Sequence, residues 1–253
     1  MNEIASTHIH HIAYTIRGPS TERAPLLLTH GFGASQAMWS PNLDALGGER
    51  RVITWDLPGH GASVETAELS HDRCVADMLE LLDVLGVQRA VLGGMSLGGF
   101  LSLLLCARHP ERVAALVLVD TGPGFRDGAA REAWNARAEG LADELDARGL
   151  AALPAGPESA TAEHAGGTGG LAAAARAILT QRDGEVFESL AAIVAPTLIV
   201  VGAEDDRFLA AADAMARRIP GASKVVIADA GHAANMDQPA EFNRVAGEFL
   251  EQV

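Results

Sequence analysis

Short apolar runs recur along the chain and alternate with stretches of helical periodicity. The runs are rich in Leu, Val and Ile, and the clearest occupy residues 26–29, 52–55, 90–92, 115–119, 197–201 and 224–227. Near-continuous apolar runs are typical of parallel strands that are buried on both faces. The spacing around them predicts helices at 72–85, 97–109, 207–219 and 240–251, and alternation predicts an antiparallel edge strand or hairpin at 8–16. The pattern as a whole predicts an α/β fold.

This alternation stops between residues 122 and 195. The interval contains no convincing strand and much Ala and Gly, with two helix-like stretches at 131–148 and 171–180. An interval of this kind is typical of an insertion placed over the sheet. We therefore expect a core formed by residues 1–122 and 195–253, and a helical lid formed by residues 123–194.

A glycine-rich run, Gly166 to Gly170, lies within the predicted lid. Such runs bind phosphate when a strand precedes them and a Lys-Ser/Thr pair follows. Neither feature is present at this position. We interpret the run as a mobile lid loop.

Composition and charge narrow the classes of partner. The chain has 253 residues, of which 48% are hydrophobic, and a formal net charge of −14 at pH 7. This acidic balance disfavours nucleic acid and anionic membranes as partners. Neither a basic-then-apolar targeting segment nor a membrane-spanning apolar stretch is evident, so we expect a cytoplasmic protein with a small-molecule substrate. Cys74 and Cys106 fall in predicted helices and are expected to be buried rather than paired in a disulfide.

The segment from Gly93 to Gly99 provides the strongest chemical signal. It lies between the apolar run at 90–92 and a helical pattern, and Gly94-x-Ser96-x-Gly98 matches the nucleophile elbow. In this turn a serine has a strained backbone, and only very small residues fit two positions before and after it. The helix N-terminus also places unpaired backbone N–H groups beside the hydroxyl. We therefore predict that Ser96 is a catalytic nucleophile.

A serine hydroxyl needs a base to remove its proton, and the base needs an orienting partner. His232 follows the apolar run at 224–227 and Asp205 follows the run at 197–201, so both lie at strand ends, where open α/β sheets place their sites. The chain order Ser96, Asp205, His232 is that of elbow-type hydrolases. Asp205 lies between Glu204 and Asp206, and we expect one of the three carboxylates to face the histidine.

An oxyanion formed at the substrate needs two hydrogen-bond donors. We assign them to the backbone N–H of Leu97, directly after the nucleophile, and to that of Phe32, in the loop after the third strand. Four aromatic side chains are candidates for lining the acyl pocket, although core or lid packing is favoured for each: Trp39, Phe100, Phe125 and Trp134.

No metal centre and no cofactor are predicted. His8 and His10 share a strand face and His11 is adjacent, but no Asp, Glu or Cys accompanies them in the sequence. A solvated edge strand is therefore favoured over a metal site.

Four landmarks together resemble the α/β-hydrolase fold family, in the single-domain branch that includes carboxylesterases, lactonases and carbon–carbon bond hydrolases. The landmarks occupy residues 30–33, 56–63, 94–99 and 231–232. The resemblance implies a mostly parallel eight-stranded sheet with helices on both faces and a helical lid insertion. It also implies that Asp56 and His60 are structural. The family acid usually lies three residues after the strand-end glycine, which from Gly202 gives Asp205, whereas a match on the following Asp-Arg-Phe gives Asp206.

Departures from family patterns bear on the substrate. Met95 stands where carbon–carbon hydrolases often have Asn, and Gly99-Phe100 replaces the Arg expected in the related menaquinone-pathway synthase. Serine at position 96 excludes the haloalkane dehalogenases and epoxide hydrolases, which use Asp there.

We therefore predict a cofactor-free serine hydrolase that cleaves a small ester, thioester or lactone through an acyl-enzyme on Ser96. The alternatives are a carbon–carbon hydrolase of a vinylogous diketone and a lyase on the same scaffold. A non-catalytic ligand receptor is the alternative from a different class.

Overall fold

The computed structural model describes residues 5–64, 68–160 and 162–253. Its strands are β1 (Ala5–Ile9), β2 (Ile12–Arg17), β3 (Leu26–Thr29), β4 (Val52–Trp55), β5 (Ala90–Met95), β6 (Val113–Val119), β7 (Thr197–Gly202) and β8 (Ser223–Ile227). Its α-helices are α1 (Leu43–Leu46), α2 (His71–Val84), α3 (Leu97–Arg108), α4 (Gly128–Arg148), α5 (Pro157–Ala160), α6 (Gly167–Ala174), α7 (Glu185–Ser189), α8 (Asp206–Arg218), α9 (Ala234–Asp237) and α10 (Pro239–Leu250). The predicted strands and the four predicted core helices are present, with ends shifted by a few residues.

The strands form an eight-stranded sheet in the order β1-β2-β4-β3-β5-β6-β7-β8. The β1–β2 hairpin and the β2–β4 pair are antiparallel, and the other neighbouring pairs are parallel. The hairpin confirms the prediction for 8–16. Because β3 to β8 run parallel, their carboxyl ends meet at one edge, where the loops that follow them lie close together.

Both faces of the sheet are buried at its central strands, whereas the edge strand β8 is largely exposed. Leu27 and Leu92 belong to an apolar layer with α2, α3 and α8, whereas Leu28 and Val91 belong to a second layer with Phe242 of α10. Successive side chains of a strand point to opposite faces. Since both faces are covered, the strands are nearly continuous apolar runs.

The interval between β6 and β7 contains α4 to α7, and its described residues include no strand. Helices α4 and α6 pack through apolar side chains, with Ala142, Leu145 and Leu171 buried together. The stretch predicted at 131–148 is α4, and the stretch at 171–180 is the end of α6 followed by a π-helical turn at Ala175–Leu179. The division into a core and a lid at 123–194 stays a prediction.

The glycine-rich run at 166–170 is largely helical, so its prediction as a loop is wrong. Most of the run forms the start of α6, and Gly170 lies against Gly59 in the loop after β4. A Cβ at Gly59 would lie 2.6 Å from the Gly170 carbonyl oxygen, and one at Gly170 would lie 3.1 Å from the Gly59 carbonyl oxygen. The glycines therefore allow two backbones to approach each other closely.

Cys74 in α2 and Cys106 in α3 are buried and free, as predicted. Burial raises the pKa of the Cys106 thiol to about 11. Within the described ranges, no helix combines the length and the apolar character that crossing a membrane requires.

Candidate active site

Ser96 occupies the sharp turn between β5 and α3. Its backbone has φ +52° and ψ −116°, a conformation that residues other than glycine rarely adopt. A Cβ at Gly94 would lie 2.3 Å from the Gly98 carbonyl, and one at Gly98 would lie 2.2 Å from the Thr29 carbonyl oxygen. The two glycines of the motif therefore let the strand, the turn and the helix approach one another.

His232 and Asp205 lie on the neighbouring loops after β8 and β7. His232 Nδ1 lies 2.7 Å from Asp205 Oδ2, and the Asp205 side chain is 2% exposed. Glu204 and Asp206 are exposed. Of the three acidic side chains, the structure brings Asp205 to the histidine. A carboxylate in this position holds the proton on Nδ1 and leaves Nε2 available as a base.

Phe208 of α8 is a site residue that sequence reasoning misses. Its ring stacks on that of His232, with centroids 4.9 Å apart and planes inclined by 21°. The Phe208 N–H donates to the Asp205 carbonyl oxygen at 2.9 Å, which places the ring one turn after the acid. The imidazole is therefore held at one nitrogen by Asp205 and on one face by Phe208.

Asp120, directly after β6, is a second missed residue. Its Oδ1 accepts a hydrogen bond from Gly202 N and its Oδ2 accepts one from Ala234 N, both at 2.8 Å. Gly202 precedes the loop that contains Asp205, and Ala234 follows the loop that contains His232. Burial raises the pKa of the Asp120 carboxyl group to about 7, although the two N–H donors oppose this rise. This side chain therefore joins the acid loop to the histidine loop.

The loop after β3 lies against Ser96. A Cβ at Gly31 would lie 2.6 Å from the Met95 sulfur and 3.4 Å from Ser96 Cβ. Phe32 follows in this loop. Leu97 is the first residue of α3, so its N–H is among those without an intrahelical partner. The structure thus brings both predicted donor residues to the surroundings of Ser96, and their role as oxyanion donors stays a prediction.

Asp56 and His60 lie buried beside this loop and have structural contacts. Asp56 Oδ1 accepts from Gln36 N at 2.6 Å, and Asp56 Oδ2 accepts from Ala62 N at 3.0 Å. The ring of His60 packs edge-on against Phe32, with centroids 5.2 Å apart. Both residues therefore help to fix the loops that surround Ser96.

Two cavities meet at Ser96. The first has a volume of about 230 Å³, and its walls include three of the predicted aromatic residues, Phe100, Phe125 and Trp134. The second has a volume of about 180 Å³, and its walls include His232 and Phe32. A substrate whose carbonyl lies at Ser96 can therefore place one part in each cavity.

Trp39 lines neither of these cavities, so it is not a pocket residue, and the core packing that the sequence favours for it is found instead. The side chain is fully buried, and its ring centroid lies 6.3 Å from that of Phe242. Trp39 ends a 3₁₀ turn over the second apolar layer of the sheet and packs into that layer. An aromatic residue in a loop does not by itself indicate which side of the sheet it covers.

The N-terminal histidines contact acidic side chains that are distant in the sequence. His10 Nε2 lies 3.2 Å from Glu80 Oε1, and His11 Nε2 lies 3.0 Å from Asp77 Oδ2. The expectation that no acidic residue accompanies them is therefore wrong, because α2 brings its carboxylates to the hairpin. His8 is exposed. Across the part of the chain that the structure describes, no group of three or more His, Cys, Asp or Glu side chains is arranged to hold a metal ion.

Comparison with known proteins gives the family of this chain. A family model described as "Alpha/beta hydrolase family" matches residues 26–245. The chain is similar to 3-oxoadipate enol-lactonase 1 of Acinetobacter baylyi, with 28% identity over 263 residues that cover 96% of this chain and 94% of the relative.

Two solved structures have a similar fold. MenH from S. aureus superposes with a TM-score of 0.85 at 24% identity, covering 94% of this chain and 98% of that one. A thermophilic esterase from Thermogutta terrifontis superposes with a TM-score of 0.80 at 29% identity, covering 100% and 98%. Because the family model spans most of its length, the chain belongs to the alpha/beta hydrolase family.

Proposed function

We propose that the protein is a cofactor-free serine hydrolase that cleaves a small ester, thioester or lactone. The observation that supports this most directly is the arrangement of three side chains at one edge of the sheet. Ser96 lines the same cavity as His232, and His232 is hydrogen-bonded to the buried Asp205. Nucleophile, base and orienting acid are the three parts that activation of a serine requires.

In the proposed reaction, Ser96 Oγ attacks the substrate carbonyl while His232 Nε2 takes its proton. Asp205 orients the imidazole and stabilises its cationic form. The backbone N–H groups of Phe32 and Leu97 hold the oxyanion, and one such donor is typically worth about 3 kcal/mol in the transition state. The imidazolium then protonates the leaving group, and water releases the acyl group with His232 again acting as the base.

Two of the compared proteins support ester-type chemistry. One relative is named as an enol-lactonase and one solved structure as an esterase, and both match this chain over nearly its full length. Met95 stands where carbon–carbon hydrolases often have Asn, and Gly99-Phe100 replaces the Arg expected in the menaquinone-pathway synthase. These departures weigh against the carbon–carbon hydrolase and the lyase, which together with the ligand receptor are the alternative outcomes of the test.

Covalent labelling tests the nucleophile. We expect a fluorophosphonate to add one group per molecule, on the peptide that contains Ser96, and p-nitrophenyl acetate to be turned over with a burst of nitrophenol. Ser96→Ala is expected to remain folded while kcat falls at least ~10³-fold. Ser102→Ala is the matched control because Ser102 is a buried hydroxyl of α3 that donates to the Gly98 carbonyl oxygen. This control is expected to label and turn over normally.

Three results would contradict the proposal. Retention of a tenth of the activity in Ser96→Ala would exclude Ser96 as the nucleophile. Cleavage of a vinylogous diketone at least a hundredfold more efficiently than every ester would assign the protein to the carbon–carbon hydrolases. Ligand binding without turnover of any ester, thioester, lactone or diketone would indicate a receptor.

A further inference from the structure

The protein is acidic overall, but most of the charged side chains that line the active-site cavities are basic. The chain has 33 acidic and 19 basic residues. Nevertheless, Arg137 of α4 and Arg207 of α8 line both cavities. The other described residues around the first cavity are uncharged, whereas Glu158 contributes a carboxylate to the second. The first cavity therefore presents positive charge to the group that fills it.

Arg137 and Arg207 are exposed residues, and their contacts differ from those of Arg176 in the same region. Arg176 is bonded to Asp143 and Asp146 of α4. Within residues 5–64, 68–160 and 162–253, no carboxylate forms an ion pair with Arg137 or Arg207. An arginine presents planar N–H donors that match a carboxylate in two parallel hydrogen bonds. These two side chains therefore have the chemistry of an anion site at the cavity wall.

The position of His232 assigns the two halves of an ester to the two cavities. His232 gives a proton to the leaving group in a serine hydrolase, and it lines the second cavity but not the first. The leaving group therefore occupies the second cavity, and the acyl group occupies the first. Of the two predicted oxyanion donors, Leu97 lines the first cavity and Phe32 lines the second, so the reacting carbonyl lies where the two cavities meet.

We propose that the substrate has a carboxylate on its acyl portion and that Arg137 and Arg207 bind this carboxylate. This inference rests on the proposed function and specifies the substrate class of the same site. The aromatic wall of Phe100, Phe125 and Trp134 contacts the methylene groups between the reacting carbonyl and the carboxylate. The cavity volume of about 230 Å³ lies below the roughly 300 Å³ at which drug-sized pockets begin, so the acyl group is short. The substrate is thus a monoester, thioester or lactone of a short dicarboxylic acid.

Three esters with five-carbon acyl chains, which differ in the presence and position of a carboxylate, test the proposal. p-Nitrophenyl pentanoate and mono-p-nitrophenyl glutarate share a leaving group and a five-carbon acyl chain, but only the second has an acyl carboxylate. 4-Carboxyphenyl pentanoate has its carboxylate on the leaving group instead. The Ser96→Ala protein provides the blank for non-enzymatic hydrolysis. We expect kcat/KM for the glutarate ester to exceed that for p-nitrophenyl pentanoate at least tenfold.

Variants of the two arginines test the assignment. Arg137→Gln and Arg207→Gln are each expected to lower the ratio of kcat/KM for the glutarate ester to that for the pentanoate about tenfold, equivalent to about 1.4 kcal/mol. Thermal unfolding shows in each case whether the variant is folded. Arg148→Gln is the matched control because it removes a positive charge from α4 at an exposed position where Arg148 pairs with Glu144. This control is expected to leave the ratio unchanged.

A binding measurement separates this inference from the proposed function. Calorimetry with Ser96→Ala measures the Kd of the intact glutarate ester, and adding Arg207→Gln is expected to raise that Kd about tenfold. Arginine-dependent binding without turnover by the native protein would support the anion site and overturn the proposed function. Equal kcat/KM values for the neutral and glutarate esters, unchanged in both variants, would overturn the anion site and leave the hydrolase intact. Preference for 4-carboxyphenyl pentanoate would overturn the placement of the carboxylate on the acyl side.

Discussion

Asp205 and Asp206 are adjacent in the chain, but their carboxylates lie in different environments. Asp205 Oδ2 lies 2.7 Å from His232 Nδ1, whereas Asp206 is exposed as the first residue of α8. The Asp205 carbonyl oxygen accepts hydrogen bonds from Phe208 N and Leu209 N, so the start of α8 fixes the backbone of the acid. Of these two adjacent residues, therefore, Asp205 has its carboxylate at the histidine and Asp206 has its carboxylate in solvent.

Asp205→Asn is expected to lower kcat far more than Asp206→Asn. The amide that replaces the Asp205 carboxylate would donate toward His232 Nδ1 and favour the wrong imidazole tautomer, an effect of about 10⁴-fold in a well-studied triad. Asp206→Asn removes an exposed charge, and we expect a change of less than about twofold. Initial rates with p-nitrophenyl acetate under saturating conditions measure both. The reverse ranking would move the acid to position 206.

Phe208→Leu is expected to lower kcat by about three- to tenfold. Leu keeps the apolar bulk but loses the flat face that stacks on His232, and aromatic pairs are worth about 0.5–1.5 kcal/mol beyond their buried area. Phe208→Tyr keeps the face and is expected to stay within about twofold of the native kcat. An unchanged kcat with a raised KM in the Leu variant would assign Phe208 to substrate binding alone.

Elements and residues with local signals were predictable from the sequence. The central parallel strands are recognisable as apolar runs because they are buried on both faces of the sheet. Ser96 is marked by its glycine neighbours, which its strained backbone and the close approach of α3 require. Asp205 and His232 are predictable because the carboxyl ends of parallel strands meet at one edge.

Other residues depend on contacts between distant segments, which the sequence pattern does not contain. Asp120 bonds to backbone groups about 80 and 114 positions away. The glycine run at 166–170 contacts Gly59, more than a hundred positions away, and its composition alone fits a flexible loop equally well. Trp39 faces the core because its 3₁₀ turn covers the second apolar layer of the sheet, and the sequence does not reveal which layer the turn covers.

Asp120 is expected to make the stability of the protein depend on pH. Its pKa of about 7 in the folded protein lies above the ordinary value of 3.8, so the folded state binds this proton more tightly than the unfolded state. The stability that the bound proton contributes is complete below about pH 4 and is lost as the pH rises through about 7. Asp120→Asn cannot titrate, so the native protein is expected to lose stability relative to this variant across that range.

Thermal unfolding of both proteins at pH 5, 6, 7 and 8 measures this difference. A relative loss of about 1 kcal/mol corresponds to about 2–4 °C in Tm for a protein of this size. Asp206→Asn is the matched control because its carboxylate is exposed. A gain of native stability over Asp120→Asn with rising pH would show that the carboxylate is the form that the folded state prefers.

Gly98 and Gly247 are both helical glycines, but replacement by Ala is expected to have opposite effects at the two positions. A Cβ at Gly98 would lie 2.2 Å from the Thr29 carbonyl oxygen and 2.7 Å from that of His30, whereas a Cβ at Gly247 meets no atom within 4 Å. Ala is favoured over Gly inside a helix by about 1 kcal/mol. Gly247→Ala is therefore expected to raise the free energy of unfolding by up to that amount and to leave activity unchanged.

Gly98→Ala is expected to destabilise the protein by about 1–3 kcal/mol or more, because α3 must move away from β3 to make room for the methyl group. Since α3 begins directly after Ser96, the same movement displaces the nucleophile, and ester hydrolysis is expected to fall with stability. Urea unfolding and initial rates of ester hydrolysis measure the two effects side by side. Native stability and activity in Gly98→Ala would contradict the close approach of α3 to the carboxyl end of β3, on which the position of Ser96 depends.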